Sequence, residues 1–167
     1  GFFRTAAGGE ELLAREKPSY DGAEPTGNSV AALTLLRLEA LTGDAGYRVQ
    51  AEGILKSFGA LLASAPAAVG EMLLAVDFLL GEPREVVLLR PPGGDDAPLF
   101  DALRTRFLPS KVLVRCEAGA AQEALAQVTP LLRDRVLVAQ KPTAYVCRQG
   151  ACQLPTTDPS QLVQQIS

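Results

Sequence analysis

Residues 78–94 read FLLGEPREVVLLRPPGG, and the periodicity of the chain changes inside them. Up to Leu80 the apolar residues recur at helical spacing. Gly81 and Pro83 stop that pattern, and EVVLLR, residues 85–90, is a short, continuously apolar run bounded by Pro and Gly. Such a run is the signature of a strand covered on both faces. A boundary therefore falls here, between an all-helical part, residues 1–82, and a small α/β part, residues 83–167.

Upstream of the boundary three helices are expected. The first runs from Asn28, with Val30, Leu33, Leu36 and Leu41, flanked by Ala31, Leu35 and Leu38, apolar around most of its circumference. Gly43 and Asp44 stop it. The second spans Tyr47 to Ala63 and the third Ala68 to Leu80, with a break at Ala65 and Pro66. Residues 1–27 form an approach segment rich in Gly, Pro and charge, with a short helical possibility at Glu10 to Arg15.

Downstream, PPGGDDAP is a loop and Leu99 to Leu108 a compact helix. KVLVR, residues 111–115, is a second buried strand, so strand, helix and strand imply a parallel crossover. A helix follows from Ala120 to Leu132, bent or ended at Pro130, and VLVA, residues 136–139, reads equally as helix end or strand. TAYVC and ACQLP flank the three residues RQG as a β-hairpin. Asp158 caps a last helix with Pro159 at its first position. The fold class is α+β or α/β, with a mixed sheet of three to five strands.

Composition excludes several functions. Sixteen basic against nineteen acidic residues leave a net charge of −3, which gives no footprint for a nucleic acid or an anionic membrane. With no histidine, Ser/His and Cys/His nucleophiles and His-ligated metals are absent. Glu39, Glu71 and Asp77 interrupt the apolar stretches before the roughly 20 residues that a membrane span needs. Three cysteines make neither a disulfide scaffold nor a paired zinc set, so a reducing, cytoplasmic setting is the default. No metal or cofactor is expected. The start GFFRTAAGG has neither a continuous apolar stretch of the signal-peptide kind nor an initial Met, and reads as the edge of a piece cut from a longer chain.

Carboxylates are therefore the candidates for chemistry. In DGAEPTGNS, residues 21–29, Asp21 and Glu24 are spaced so that they could divide acid from base in a cleft, with Asn28 as a ligand contact. Spacing alone favours the structural alternative: Asp21 and Gly22 turn the chain, and Asn28 or Ser29 caps the helix that follows. Glu71, in GEML, is favoured near a helix start by the helix dipole and joins the pocket candidates only if it faces a cavity. Cys147 and Cys152 fall on adjacent strands of the expected hairpin. A disulfide or a shared metal is conceivable there, but two small buried side chains flanking a turn are favoured. Cys116 reads as packing. PPGGDD lacks the order of a phosphate-cradling loop, and its two Asp residues would repel an anion.

The series GFFRT, DGAEPTGNSVAALTLLRL, LTGD, GEML, FLPSKVLV and PTAYVCRQGACQLPTTDP resembles the C-terminal portion of the YyaL-type family of thioredoxin-domain proteins, which includes spermatogenesis-associated members in animals. The resemblance runs in order along nearly the whole chain, and the ending around TAYVC is its most specific part. It implies a parent with an N-terminal thioredoxin-like module, then an (α/α)6 barrel similar to six-hairpin glycosidases and N-acylglucosamine 2-epimerases, then a terminal α/β section. On that view residues 1–82 are the closing helices of the toroid. Asp21, Glu24 and Asn28 are raised as residues facing a pocket for a carbohydrate-like ligand.

The partners so implied are the upstream thioredoxin and barrel portions of the parent, and the isolated chain is expected to be inert. The chain departs from the family pattern at Arg4 and Ser19, positions that are commonly acidic, which weakens the case for a preserved acid set. Two rivals stand beside this reading: acid/base processing of glycosides by Asp21 and Glu24 in the intact barrel, and a docking role for the α/β unit. A further expectation is that helices apolar on several faces leave patches that self-association would cover.

Overall fold

A computed structural model describes residues 1–6, 8 and 14–167. The helical turn expected at Glu10 to Arg15 falls largely outside them. The chain divides into two compact units, Gly1–Glu39 with Asp44–Gly81, and Ala40–Gly43 with Glu82–Ser167. Helices and a small mixed sheet make it an α+β or α/β arrangement.

Among the described residues the first unit holds four helices: α1 (Gly27–Thr42), whose last residues from Ala40 on fall in the second unit, α2 (Ala45–Ser57), α3 (Gly59–Ser64) and α4 (Gly70–Leu80). Thr26, not Asn28 or Ser29, caps α1, because its hydroxyl accepts the Ser29 N–H at 3.1 Å. Gly43, at φ 73°, ends α1 in the left-handed conformation that glycine adopts without a Cβ penalty. Asp44 then starts α2 by accepting the Gly46 N–H at 2.8 Å. The helix expected over Tyr47 to Ala63 is broken at Phe58, whose N–H bonds to the carbonyls of both Ile54 and Leu55 and whose ring is buried. A 3-10 turn, Pro66–Val69, takes up Ala68 and Val69, the first two residues expected of the third helix.

Three of these helices bury apolar side chains: Ala32, Leu33 and Leu36 on α1, Ala51, Ile54 and Leu55 on α2, and Met72, Ala75 and Phe78 on α4, whereas α3 buries none. Leu35, Leu38 and Leu41 are only half-buried. Leu73, Leu74 and Leu80 on α4 stand exposed. No helix among the described residues is long and apolar enough to cross a membrane.

The second unit is built on β1 (Arg84–Arg90), the reading that decides the fold. It pairs in parallel with β2 (Lys111–Glu117) and antiparallel with β3 (Thr143–Arg148), and β3 pairs with the short β4 (Ala151–Cys152), giving the order β2-β1-β3-β4. Between β1 and β2 lies α5 (Ala97–Arg104), which starts two residues earlier than expected because Asp96 and Pro98 set its first turn, and which ends at Thr105.

The continuous apolar run of β1 is explained by alternation. Val86 and Leu88 face a core with Leu99 and Leu103 of α5, Ala144 and Val146 of β3, and Leu162 and Ile166 of α7 (Pro159–Ile166). Val87 and Leu89 face the opposite core, with Cys116, Leu132 and Tyr145. Four consecutive side chains are buried because the pleat sends them to two different interiors.

Three local expectations differ. The hairpin connection is the two residues Gln149 and Gly150, at φ 49° and 78°, rather than three, so Arg148 pairs with Ala151. Two successive positive φ angles are the geometry of a tight turn whose twist matches the flanking strands. α6 is confined to Ala120–Ala126, and a separate 3-10 turn, Pro130–Leu132, follows it. VLVA forms neither helix nor strand, only an isolated bridge between Val138 and Lys141. As expected, Asp158 caps α7, accepting the Ser160 N–H at 2.8 Å.

Candidate functional site

Asp21 sits where three backbone segments meet. Its Oδ1 accepts the Thr26 N–H at 2.8 Å, and its Oδ2 accepts the Ser29 hydroxyl at 3.0 Å and the N–H groups of Glu71 and Met72 at 3.0 and 3.3 Å. The carboxylate thus serves two helix starts at once, fastening α1 and supplying α4 with the acceptor that its first turn lacks locally. Burial pushes the carboxyl up, but the hydrogen bonds from Thr26, Ser29 and Met72 outweigh it and hold Asp21 below its ordinary value. A carboxylate so engaged is a poor proton donor at neutral pH, and few of its lone pairs are free for a ligand.

Asn28 is buried at the start of α1. Its Oδ1 accepts the Phe2 N–H at 2.6 Å, and its Nδ2 donates to the carbonyls of Phe2 and Pro18, both at 3.0 Å. Both amide protons are therefore spent on backbone, and the side chain is a strut that lays residues 1–4 against the head of α1. Glu71 contributes its N–H to Asp21, while its side chain is half-exposed in the first turn of α4.

The approach segment and the head of α1 enclose a concavity of about 530 Å³, lined among others by Phe2, Phe3, Arg4, Glu24 and Asn28. Of the sequence candidates it brings together Glu24 and Asn28, and neither Asp21 nor Glu71 lines it. Phe2 and Phe3 are 50% and 45% exposed there. Arg15 and Lys17 lie over the Phe3 ring at 4.2 and 4.6 Å from its centre, so cations already occupy at least one face of that ring. Among the described residues Glu24 is the one carboxylate on this lining and Arg4 the one cation.

In the second unit, Asp96 is the last residue of the loop PPGGDD and is buried. It binds Arg115 of β2 through two oxygens, at 2.7 and 3.1 Å, and the guanidinium stacks on Phe100 at 4.0 Å. The Arg115 hydrogen bond, against the push of burial, holds the Asp96 carboxyl below its ordinary value. This loop is committed to an internal ion pair. Spacing alone gave no sign of it, because Arg115 reads only as a strand end.

Cys147 and Cys152 are directly opposed on β3 and β4, with Cα atoms 4.0 Å apart, and form a disulfide. The expectation of two buried side chains fails for Cys152, which is exposed because β4 is a two-residue edge strand, whereas Cys147 is buried. Arg135, which sequence reading passed over, reaches both sulfurs with Nη2, at 3.4 Å from Cys147 and 3.1 Å from Cys152. Cys116 is a free, buried thiol, and burial pushes its pKa up. Among the described residues no three acid or thiol side chains converge as a metal-binding set.

Over 164 residues, 97% of the chain, the sequence is 32% identical to spermatogenesis-associated protein 20 of Rattus norvegicus and equally to that of Homo sapiens. An uncharacterized protein of Caenorhabditis elegans is 26% identical over 156 residues, 93% of the chain. The homology is to the C-terminal part of spermatogenesis-associated protein 20, and the chain spans 21% of the length of each of these relatives. No family model matches the chain, and no solved structure matches it at a comparable level of significance.

Proposed function

We propose that this chain is the closing section of a larger thioredoxin-domain protein. In that protein residues 1–82 supply the last helices of an (α/α)6 toroid, and the concavity at Phe2, Phe3, Arg4 and Glu24 forms one wall of a pocket for a carbohydrate-like ligand. The chain by itself is inert toward such a ligand, since a toroid pocket draws on helices from all around the ring. Homology along 97% of the chain to the C-terminal part of spermatogenesis-associated protein 20 supports the parentage.

The observation that carries the ligand reading is the pairing of two half-exposed phenyl rings with one carboxylate and one guanidinium around a single hollow. The C–H face of a sugar ring packs on an aromatic face while its hydroxyls bond to charged groups at the rim. An acid/base pair of Asp21 and Glu24 has less support, because Asp21 is spent on the starts of α1 and α4. A docking role for the second unit draws its support from Phe107 and Leu154, 91% and 85% exposed.

The test uses the full-length parent protein. Thermal shift and calorimetric titration with glucose, mannose and N-acetylglucosamine should detect binding that Glu24→Gln and Phe3→Ala each abolish while leaving the melting temperature in place. If none of the three sugars binds, or if both variants bind as the parent does, the pocket reading is wrong.

A further inference from the structure

We propose that the Cys147–Cys152 pair is a dithiol–disulfide exchange site, opened by attack on the sulfur of the exposed Cys152 and assisted by Arg135. This goes beyond the ligand reading and stands on the second unit alone.

Three observations converge. The two residues face each other across β3 and β4, so the sulfurs remain neighbours after reduction, held by the strand register. Cys152 is an exposed residue and Cys147 a buried one, so an incoming thiolate approaches from the Cys152 side. The Arg135 guanidinium donates to both sulfurs. A neutral disulfide is a weak acceptor and gains little from a cation, whereas a thiolate gains a charge-assisted hydrogen bond. The guanidinium is also held in place: its Nε donates to the Leu131 carbonyl at 3.0 Å, and its plane lies 4.7 Å from the Tyr145 ring centre. Gln122 fixes the backbone carbonyl of Arg135 at 2.8 Å.

The reaction balances with a dithiol as co-reactant, either a small molecule or the vicinal thiols of another protein. A thiolate of the dithiol attacks Cys152 Sγ and forms a mixed disulfide. The Cys147–Cys152 bond breaks, and its electron pair leaves on Cys147 Sγ, which takes up the Arg135 N–H bond as a thiolate. The second thiol of the reductant loses its proton, attacks its own sulfur in the mixed disulfide, and expels Cys152 as a thiolate. The dithiol is oxidised by two electrons and the protein pair reduced by two, and the protons released go to solvent or to the new thiolates. In reverse, the reduced pair delivers two electrons to a substrate disulfide. Arg135 is a positioning and charge-stabilising residue here.

The oxidised 167-residue chain is mixed with dithiothreitol at neutral pH, quenched with iodoacetamide at intervals and weighed by mass spectrometry, with circular dichroism followed in parallel. The wild type should lose its disulfide with an unchanged dichroism spectrum. Arg135→Gln should open about threefold or more slowly, because a leaving thiol deprived of one charge-assisted bond has a higher pKa and leaves more slowly. Cys147→Ser should form a mixed disulfide with oxidised glutathione in the folded state, and Cys152→Ser should not. The proposal is overturned if the wild-type bond yields only when the chain unfolds, if folded Arg135→Gln opens at the wild-type rate, or if Cys152→Ser reacts as readily as Cys147→Ser. The wild-type measurement decides the matter even if a variant fails to fold.

Discussion

Replacing Asp21 by Asn tests whether that carboxylate is a structural fastening. Asn keeps one acceptor, enough for the Thr26 N–H, but turns an NH2 group toward the Ser29 hydroxyl and the N–H groups of Glu71 and Met72. Donors would then face donors at the start of α4. Loss of a helix cap costs about 0.5–2 kcal/mol, and leaving a further buried donor unsatisfied about 1–3 kcal/mol. With partial relief by solvent, the net is about 2–3 kcal/mol, or roughly 4–12 °C in melting temperature for a chain of this size. Differential scanning calorimetry at neutral pH should show this drop, and Glu24→Gln, on the same segment, should leave the melting temperature unchanged.

The pH dependence supplies a second check on the same residue. The folded Asp21 carboxyl lies below its ordinary value, so its contribution is fully present above the unfolded pKa of about 4 and is lost as pH falls through the folded one. The gap between wild type and Asp21→Asn should therefore close on acidification below about pH 4. An Asp21→Asn protein that melts with the wild type at neutral pH would refute the reasoning, as would a gap that persists undiminished in acid.

The other expectations concern the second unit. Asp96→Asn removes the charge from a buried partner of Arg115, and since Arg115 is itself 41% exposed the cost should be about 1–3 kcal/mol by urea denaturation, below the range for a fully buried pair. Because the Asp96 carboxyl is held below its ordinary value, that difference too should vanish as pH falls past the usual aspartate range. Leu88→Ala, at a fully buried position on β1, should cost about 2–5 kcal/mol, read from the same curves. Cys116, buried and with its pKa pushed up, should resist iodoacetamide in the folded chain and react once the chain is unfolded, as mass spectrometry would show.

Much of the scaffold was written in local chemistry. Gly81 and Pro83 ended a helix and Pro159 began one, because each acts through its own φ angle or missing N–H. EVVLLR announced a doubly covered strand, because only such a strand tolerates four apolar side chains in a row. Boundaries were legible only in part: the break at Phe58 comes from where one ring packs, and α6 ends four residues before Pro130. Thr26 took the cap expected of Asn28 or Ser29 because the long-range bonds of Asn28 to Phe2 and Pro18 claim that amide.

The roles of the candidate residues belonged to the tertiary structure. The stretch DGAEPTGNS displays its acids, but Asp21 is decided by Glu71 and Met72, 50 and 51 residues further on. Likewise Cys147 and Cys152 could be placed on adjacent strands by alternation and a turn. Only the folded chain brought Arg135 to their sulfurs and left Cys152 an exposed residue. A sequence determines the conformations that each residue favours with its immediate neighbours, and here that sufficed for helices, strands and the class of fold. Which side chain meets which lone pair depends on distances set by packing between segments far apart in the chain, and those exist only once it has folded.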